Sequence, residues 1–310
     1  MDVLTDNQLK CEIKQFCCQL WSLSEMSLTM PCSNPCSLMR KDIVRLNTKQ
    51  YWVGEKTDGV RMFLLLGVYD DTNGEEKTYS VLINRAFQIY TIVIDVPDDY
   101  YTGSLFDGEL VTTESGQFIY TPFDTIVSTG FSMVHYAHSE RMAVTRRAFD
   151  VIRFITPPMQ ITVKQWYPIE HAVAVFEKAV HCDGLIFVPE NGPLVNGTQF
   201  DTFKWKKSTK HTIDFVLHSS GMLFVMDRGM TTSATELLNI VLANTDHAKT
   251  FVPVDSPIIV ECECAKIEET WVATPIRVRE DKERANSVNV ARATLQNITE
   301  NVELIEIIRS

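Results

Sequence analysis

Nowhere does this 310-residue chain carry an apolar run near the roughly 20 residues that a helix needs to cross a bilayer, so a helical membrane protein is not expected. The opening text, MDVLTDNQLK, lacks the basic-then-apolar pattern of a secretory signal, and a protein that is not exported is expected. Internal repeats, low-complexity tracts and linkers rich in Gly or Ser are missing too. An excess of positive charge is also lacking: 29 Lys and Arg against 40 Asp and Glu leave a net charge of −11. That sets aside a protein that coats nucleic acid by bulk charge. It leaves room for a polyanion handled in passing, where Lys and Arg gather in one cleft. The eight cysteines include a CxxxC at Cys32 and Cys36 and a CxC at Cys262 and Cys264. Neither comes with a regularly spaced second pair or a His pattern, so they read as reduced thiols and not as a zinc site. Without export, the triplets at Asn196 and Asn297 are chance matches to a glycosylation site.

What is present is ordinary for a folded protein: 45% hydrophobic and 22% charged residues, over a length that suggests about two domains. Residues 6–21 read as a helix that Asp6 can cap, with Leu9, Ile13, Phe16, Cys17 and Leu20 at helical spacing. Residues 27–38 read as irregular. From Tyr51 to about Tyr90 the text is strand-like (MFLLLGVY, TYSVLIN, FQIYTIVI), and FIYTPFDTIV reads as a further strand. Helices are expected over 140–155 and over 169–181, the latter with Ile169, Val173, Phe176 and Val180 on one face, followed by the short strand GLIFV. After about residue 210 the pattern changes to short strands with one helix, which suits a small barrel such as an OB-fold. A tail helix carries Ala291, Leu295, Ile298, Val302, Ile305 and Ile308 three or four apart. The expected division is 1–210, 211–288 and a C-terminal helix, 289–310, packed on the first domain, with a hinge near 208–214.

The most informative stretch is Glu55-Lys56-Thr57-Asp58-Gly59-Val60-Arg61, at a predicted strand end. The glycine permits a tight turn where backbone approaches a ligand. A lysine is a nucleophile only as the neutral amine, and burial or neighbouring cations can favour that form. Taken alone, KxDGxR fits a solvated turn as well as a site. Other pieces follow in order: Ser104-Leu105-Phe106-Asp107-Gly108-Glu109-Leu110, then Phe123-Asp124, Cys182-Asp183-Gly184-Leu185-Ile186, Phe203-Lys204-Trp205-Lys206-Lys207, and Arg277-Val278-Arg279-Glu280-Asp281-Lys282.

This ordered series resembles the covalent nucleotidyltransferase superfamily of mRNA capping enzymes and ATP- or NAD-dependent ligases. The six pieces span residues 56 to 282, most of the chain. The local text is most similar to the compact viral mRNA guanylyltransferases of large DNA viruses of algae, through Asn34-Pro35, Arg40-Lys41-Asp42, Asn84-Arg85-Ala86, Lys164-Gln165-Trp166, Pro168-Ile169-Glu170-His171, His211 to Phe215 and Thr294 to Ile298. In one place it departs. Capping enzymes often carry Pro-Asn after the last Asp-Lys, where Ala285-Asn286 stands here, and the final motif would suit a DNA ligase equally.

The resemblance implies an α+β nucleotidyltransferase fold, with antiparallel sheets and flanking helices, followed by an OB-fold barrel. It implies that Lys56 attacks the α-phosphate of GTP and passes GMP to a 5′-diphosphate RNA. Such transfers rest on positioning and electrostatics, which calls for converging cations and a metal. By the same resemblance, Arg61 and Glu109 hold the ribose, with Arg85 alongside the sugar and phosphates. Phe123 stacks on guanine, Ile186 walls its other face, and Lys164 reads the guanine O6. Asp183, with Glu109 helping, binds Mg2+ or Mn2+. Lys204 and Lys206 contact the α-phosphate; strand alternation would put both on one face and Trp205 on the other, in the packing. Arg279, Asp281 and Lys282 reach the β- and γ-phosphates when the barrel closes over the cleft. The alternative for Asp107 is a turn cap, and the Gly-Glu that follows it favours a site instead.

Two rivals stand beside this reading: an ATP-dependent polynucleotide ligase using Lys56–AMP, and a non-catalytic nucleotide-binding subunit. A separate RNA triphosphatase, methyltransferase or RNA polymerase is expected as partner, since nothing here resembles the first two and the net charge suggests that RNA is held briefly. A monomer in the host-cell cytoplasm or nucleus is expected.

Overall fold

The computed structural model describes every residue except Glu25, Thr72, Val180, His181, Asp281 and Ser310, together with the side chain of Arg309. The chain forms two compact units, one of residues 1–36 and 44–205 and the other of residues 37–43 and 206–309.

The first unit holds two main sheets. At the centre of the larger lies the strand Val60–Asp70, paired antiparallel with Glu76–Asn84 on one side and Ser104–Thr112 on the other; Phe118–Ser128 pairs next. The run Met62 to Leu66 shows no polar alternation because both faces of this sheet are covered. Phe63 and Leu65 join Leu105, Ile83 and the helix Asn7–Gln19 in one core. Met62, Leu64 and Leu66 join Phe106, Tyr120 and the helix His138–Val151 in a second. The first helix starts where its sequence indicates, with Asp6 Oδ1 accepting from the backbone N–H groups of Gln8 (2.9 Å) and Leu9 (3.1 Å).

The smaller sheet runs Tyr167–Pro168, Tyr51–Thr57, Cys182–Pro189, Gly197–Trp205 and Ser33–Ser37. Val53, Leu185, Phe187, Phe203 and Trp205 are buried on one of its faces. The Trp205 ring meets Phe176 edge-on at 5.1 Å, the packing role its place in the strand implied. Ser33–Ser37 corrects the irregular reading of 27–38. It is a polar, proline-containing edge strand, and an edge is where a strand tolerates proline. The predicted helix 169–181 is shorter: a 3-10 turn at Ile169–His171 leads into Ala172–Lys178, and Val180 lies outside the described residues.

In the second unit the hairpin Thr212–Leu217 and Leu223–Asp227 pairs on through Ile258–Ile267 to Thr270–Val278. The short strand Ile240–Leu242 adds parallel to the last of these, and Met230–Ser233 flanks the hairpin. All these strands except Met230–Ser233 feed one core, which holds Ile213, Phe215, Val225, Ile240, Val260 and Ala273. A single interior shared by several short strands is the character of a small OB-type domain. Asn286 ties the unit together: its Oδ1 accepts from the Asp214 N–H at 2.8 Å, and its own N–H donates to the Asp214 carbonyl at 2.9 Å.

The tail differs from expectation in two ways. It is two helices, Val288–Glu300 and Leu304–Arg309, parted at Asn301, which has a left-handed φ of 42°. The first buries Val288, Ala291 and Leu295 in the barrel core and so belongs to the second unit, not to the first domain. Residues 37–43 belong there as well, Arg40 pairing with Glu306 and donating from its backbone to Glu300.

Candidate active site

Both sheets of the first unit line a cavity of about 190 Å3. Lys56 reaches it from the smaller sheet. In the ladder Gly54 faces Ile186, and Ile186 faces Lys204 on the far side, so these residues share a face with Lys56 and Thr202. Lys56, Ile186, Val188 and Thr202 line the cavity. The Lys56 ammonium lies 2.8 Å from Asp183 Oδ1, with both side chains 24% exposed.

Gly59, in the turn between Lys56 and Arg61, is required by crowding. A Cβ there would stand 2.8 Å from the Leu110 carbonyl oxygen and 2.9 Å from Glu109 Cγ. The turn that follows Lys56 thus packs closely against the strand that carries Glu109.

The larger sheet supplies the opposite wall. Arg61 is the ladder partner of Glu109, and Phe63 of Asp107, so all four share one face. Asp107 is not a turn cap. It is buried in mid-strand and grips Arg61, whose Nε donates at 2.9 Å. Arg61 also donates to Asn34 Oδ1 (3.2 Å) and to the Ser33 carbonyl (2.8 Å). Burial works against this guanidinium, and the Asp107 carboxylate overrides it and holds the charge firmly in place.

Phe123 owes its position to a β-bulge. Asp107 pairs with Asp124 and Gly108 with Pro122, which leaves Phe123 as the extra residue. Bulges re-aim side chains in this way beside active sites. Two cations attend the Phe123 ring, Lys164 Nζ at 5.1 Å from its centroid and the Arg61 guanidinium at 5.6 Å. Lys164 is buried, and its N–H donates to the Pro122 carbonyl at 3.0 Å. Burial lowers the Lys164 ammonium from its ordinary value, against the pull of Glu109 and with the help of Lys56. Burial likewise raises the Glu109 carboxyl, against Lys164, Lys56 and Arg61.

The remaining predicted residues fall elsewhere. Arg85 is exposed on the turn after Glu76–Asn84 and is not a cavity wall. Lys204 shares the Thr202 face, but the strand ends at Trp205, so alternation does not extend to Lys206, which falls in the second unit. Arg279 and Lys282 are also in the second unit, both ion-paired with the buried Asp214 (Arg279 at 3.2 Å). Asp281 lies outside the described residues. Among the described residues no cluster of three or more His, Cys, Asp or Glu could hold a metal by itself. A hard divalent cation is commonly held by one or two carboxylates, with water and substrate phosphate completing its shell, and Asp183 with Glu109 suits that mode.

The cavity also has walls to which the sequence reading gave no role: Asp124 and Trp166, which lie in quoted motifs, and His138, which does not. Asp124 takes Arg141 in a two-pronged pair (2.7 and 3.0 Å) beneath the Phe123 bulge. Arg141 is one of three arginines in its helix, and nothing in the sequence marks it as the one that pairs with Asp124.

The family model of the mRNA capping enzyme catalytic domain matches residues 1–208, and that of the mRNA capping enzyme C-terminal domain matches residues 197–308. The chain belongs to the mRNA capping enzyme family. The mRNA-capping enzyme subunit alpha of Eremothecium gossypii is 24% identical over 94% of this chain and 80% of its own length. That of Candida glabrata is 28% identical over 66% of this chain and 53% of its own length, so the chain matches only about half of that relative. Among solved structures, a mycobacterial DNA ligase D complexed with ATP and MES covers 81% of this chain and 95% of that one, at 13% identity and a TM-score of 0.47. The family's two domains correspond to an α+β nucleotidyltransferase fold followed by a C-terminal capping domain. Among the described residues no helix is long and apolar enough to cross a membrane.

Proposed function

We propose that this chain is an mRNA guanylyltransferase. The observation that carries the reading is Lys56, held 2.8 Å from Asp183 at the edge of a cavity whose other wall presents Arg61, Glu109, Phe123 and Lys164, in a chain of the capping enzyme family. Lys56 gives up its proton and bonds to the α-phosphorus of GTP, the bond to the β-phosphate oxygen breaks, and pyrophosphate leaves. The GMP then passes to the diphosphate end of an RNA, and Lys56 is regenerated. The base enters between Phe123 and Ile186, with Lys164 at its edge. Glu109 receives the ribose, and the one Arg61 N–H not engaged with Asp107, Asn34 or Ser33 can join it. Asp183 and Glu109 would hold a divalent cation, which would neutralise phosphate charge as pyrophosphate departs. Lys204, on the face it shares with Thr202, contacts the α-phosphate. RNA binding is brief, in keeping with the net charge of −11, and the triphosphatase and methyltransferase steps belong to other proteins.

The test is transfer of label from α-labelled GTP or ATP to the protein in the presence of Mg2+ or Mn2+. Acid-stable label from GTP is expected, and none in Lys56→Met. Label from ATP alone would replace this reading with that of a ligase, and label from neither would leave a nucleotide-binding subunit.

A further inference from the structure

Two residues that line the cavity each carry a buried nitrogen with no hydrogen-bond partner among the described residues: Nε2 of His138 and Nε1 of Trp166. A buried donor left without an acceptor is costly to a fold. Two of them in contact, their rings edge-to-face at 4.7 Å, point to acceptors that arrive with a ligand.

Both groups are fixed as donors. His138 Nδ1 lies 3.5 Å from Nη2 of Arg141, and a guanidinium only donates, so Nδ1 accepts and the ring proton sits on Nε2. Arg141 is itself held by Asp124 and by the Tyr136 carbonyl at 2.7 Å. His138 is 1% exposed, and burial pushes its pKa down to about 4, so the ring is neutral at working pH. An indole N–H can only donate. Trp166 is positioned by Gly54, where a Cβ would come within 2.9 Å of its six-membered ring.

We propose that His138 and Trp166 donate their unmet N–H groups to the O6/N7 edge of the bound base and so select GTP over ATP. This deepens the guanylyltransferase reading and rests on it. Guanine offers two acceptors on that edge, N7 and O6, where adenine offers one acceptor and one amino donor. A donor facing the adenine amino group would stay unmet, and sites built to hydrogen-bond their substrate reject such analogues strongly. Lys164, buried on the same wall, adds a third donor that favours the same base.

The experiment uses the whole chain and compares kcat/KM for labelling Lys56 from GTP, from 7-deaza-GTP, in which C–H replaces N7, and from ATP. The unsubstituted protein is expected to prefer GTP to 7-deaza-GTP by roughly tenfold. His138→Phe and Trp166→Phe keep an aromatic ring and remove one donor each. At least one is expected to accept GTP and 7-deaza-GTP equally, and both to narrow the preference for GTP over ATP by about tenfold. A merely structural role would slow all three nucleotides alike and leave the ratios unmoved. Equal use of GTP and 7-deaza-GTP by the unsubstituted protein overturns the inference and needs no variant; so does an unchanged ratio in both variants. Label from ATP alone would instead remove the guanylyltransferase reading, and this inference with it.

Discussion

His138 shows how one buried side chain can set a pH response. The unfolded chain protonates this ring near pH 6.5 and the folded chain only near 4. Between those values the unfolded state binds more protons, so stability is complete above about pH 6.5 and falls as the pH drops toward 4. At pH 5 the loss attributable to His138 is about 2 kcal/mol. Denaturant midpoints of the unsubstituted protein and of His138→Phe at pH 7 and pH 5 check this: the variant should lose about 2 kcal/mol less on acidification, and equal losses would rule it out. Nothing in the sequence marks His138, because its importance comes from Arg141, Asp124 and Trp166 meeting around it. That Lys56, Glu109 and Phe123 line one cavity agrees with the motifs that single them out, and Lys164 was singled out by its local text alone. The grip of Asp107 on Arg61 was not, since it depends on strand register.

At the scale of elements, the strands were readable wherever a face is buried, as in Val60–Asp70 and Glu76–Asn84. The Phe123 bulge was not, because one extra residue leaves no mark on composition. Nor was the Ser33–Ser37 strand, whose backbone pairing owes nothing to apolar side chains. Gly59 gives the sharpest prediction at this level. Gly59→Ala would drive a methyl group into the Leu110 carbonyl, a backbone atom that cannot step aside. The expected cost is about 1–3 kcal/mol of stability, together with loss of Lys56 labelling as the turn and Glu109 are displaced. Thermal unfolding and the labelling assay measure both. Gly54→Ala should be milder in stability and stronger in nucleotide choice, because the atoms it displaces are mainly those of the Trp166 ring.

Across the whole molecule, the second unit stakes much on Asp214. This buried carboxylate takes Lys282 and, at 3.2 Å, Arg279, while Glu261 takes Arg279 at 3.4 Å and Arg277 at 2.5 Å. Asp214→Ala leaves partly buried cations short of a counter-charge and should lower stability by roughly 2–3 kcal/mol, read as a lower thermal midpoint of the intact chain. An unchanged midpoint would show that solvent serves these cations equally well. Period and polarity gave the tail its helical character, but its place of packing lay in the shape of the barrel core, which no local pattern encodes.

The membership of residues 37–43 in the later unit bears on biogenesis. Translation delivers Arg40 ahead of its companions, 260 residues before Glu300 and 266 before Glu306. The nascent polypeptide therefore carries a small unsatisfied piece of the later unit until those residues emerge. No single cut yields both halves intact, and a fragment ending near residue 208 would keep an orphan that belongs to what was removed.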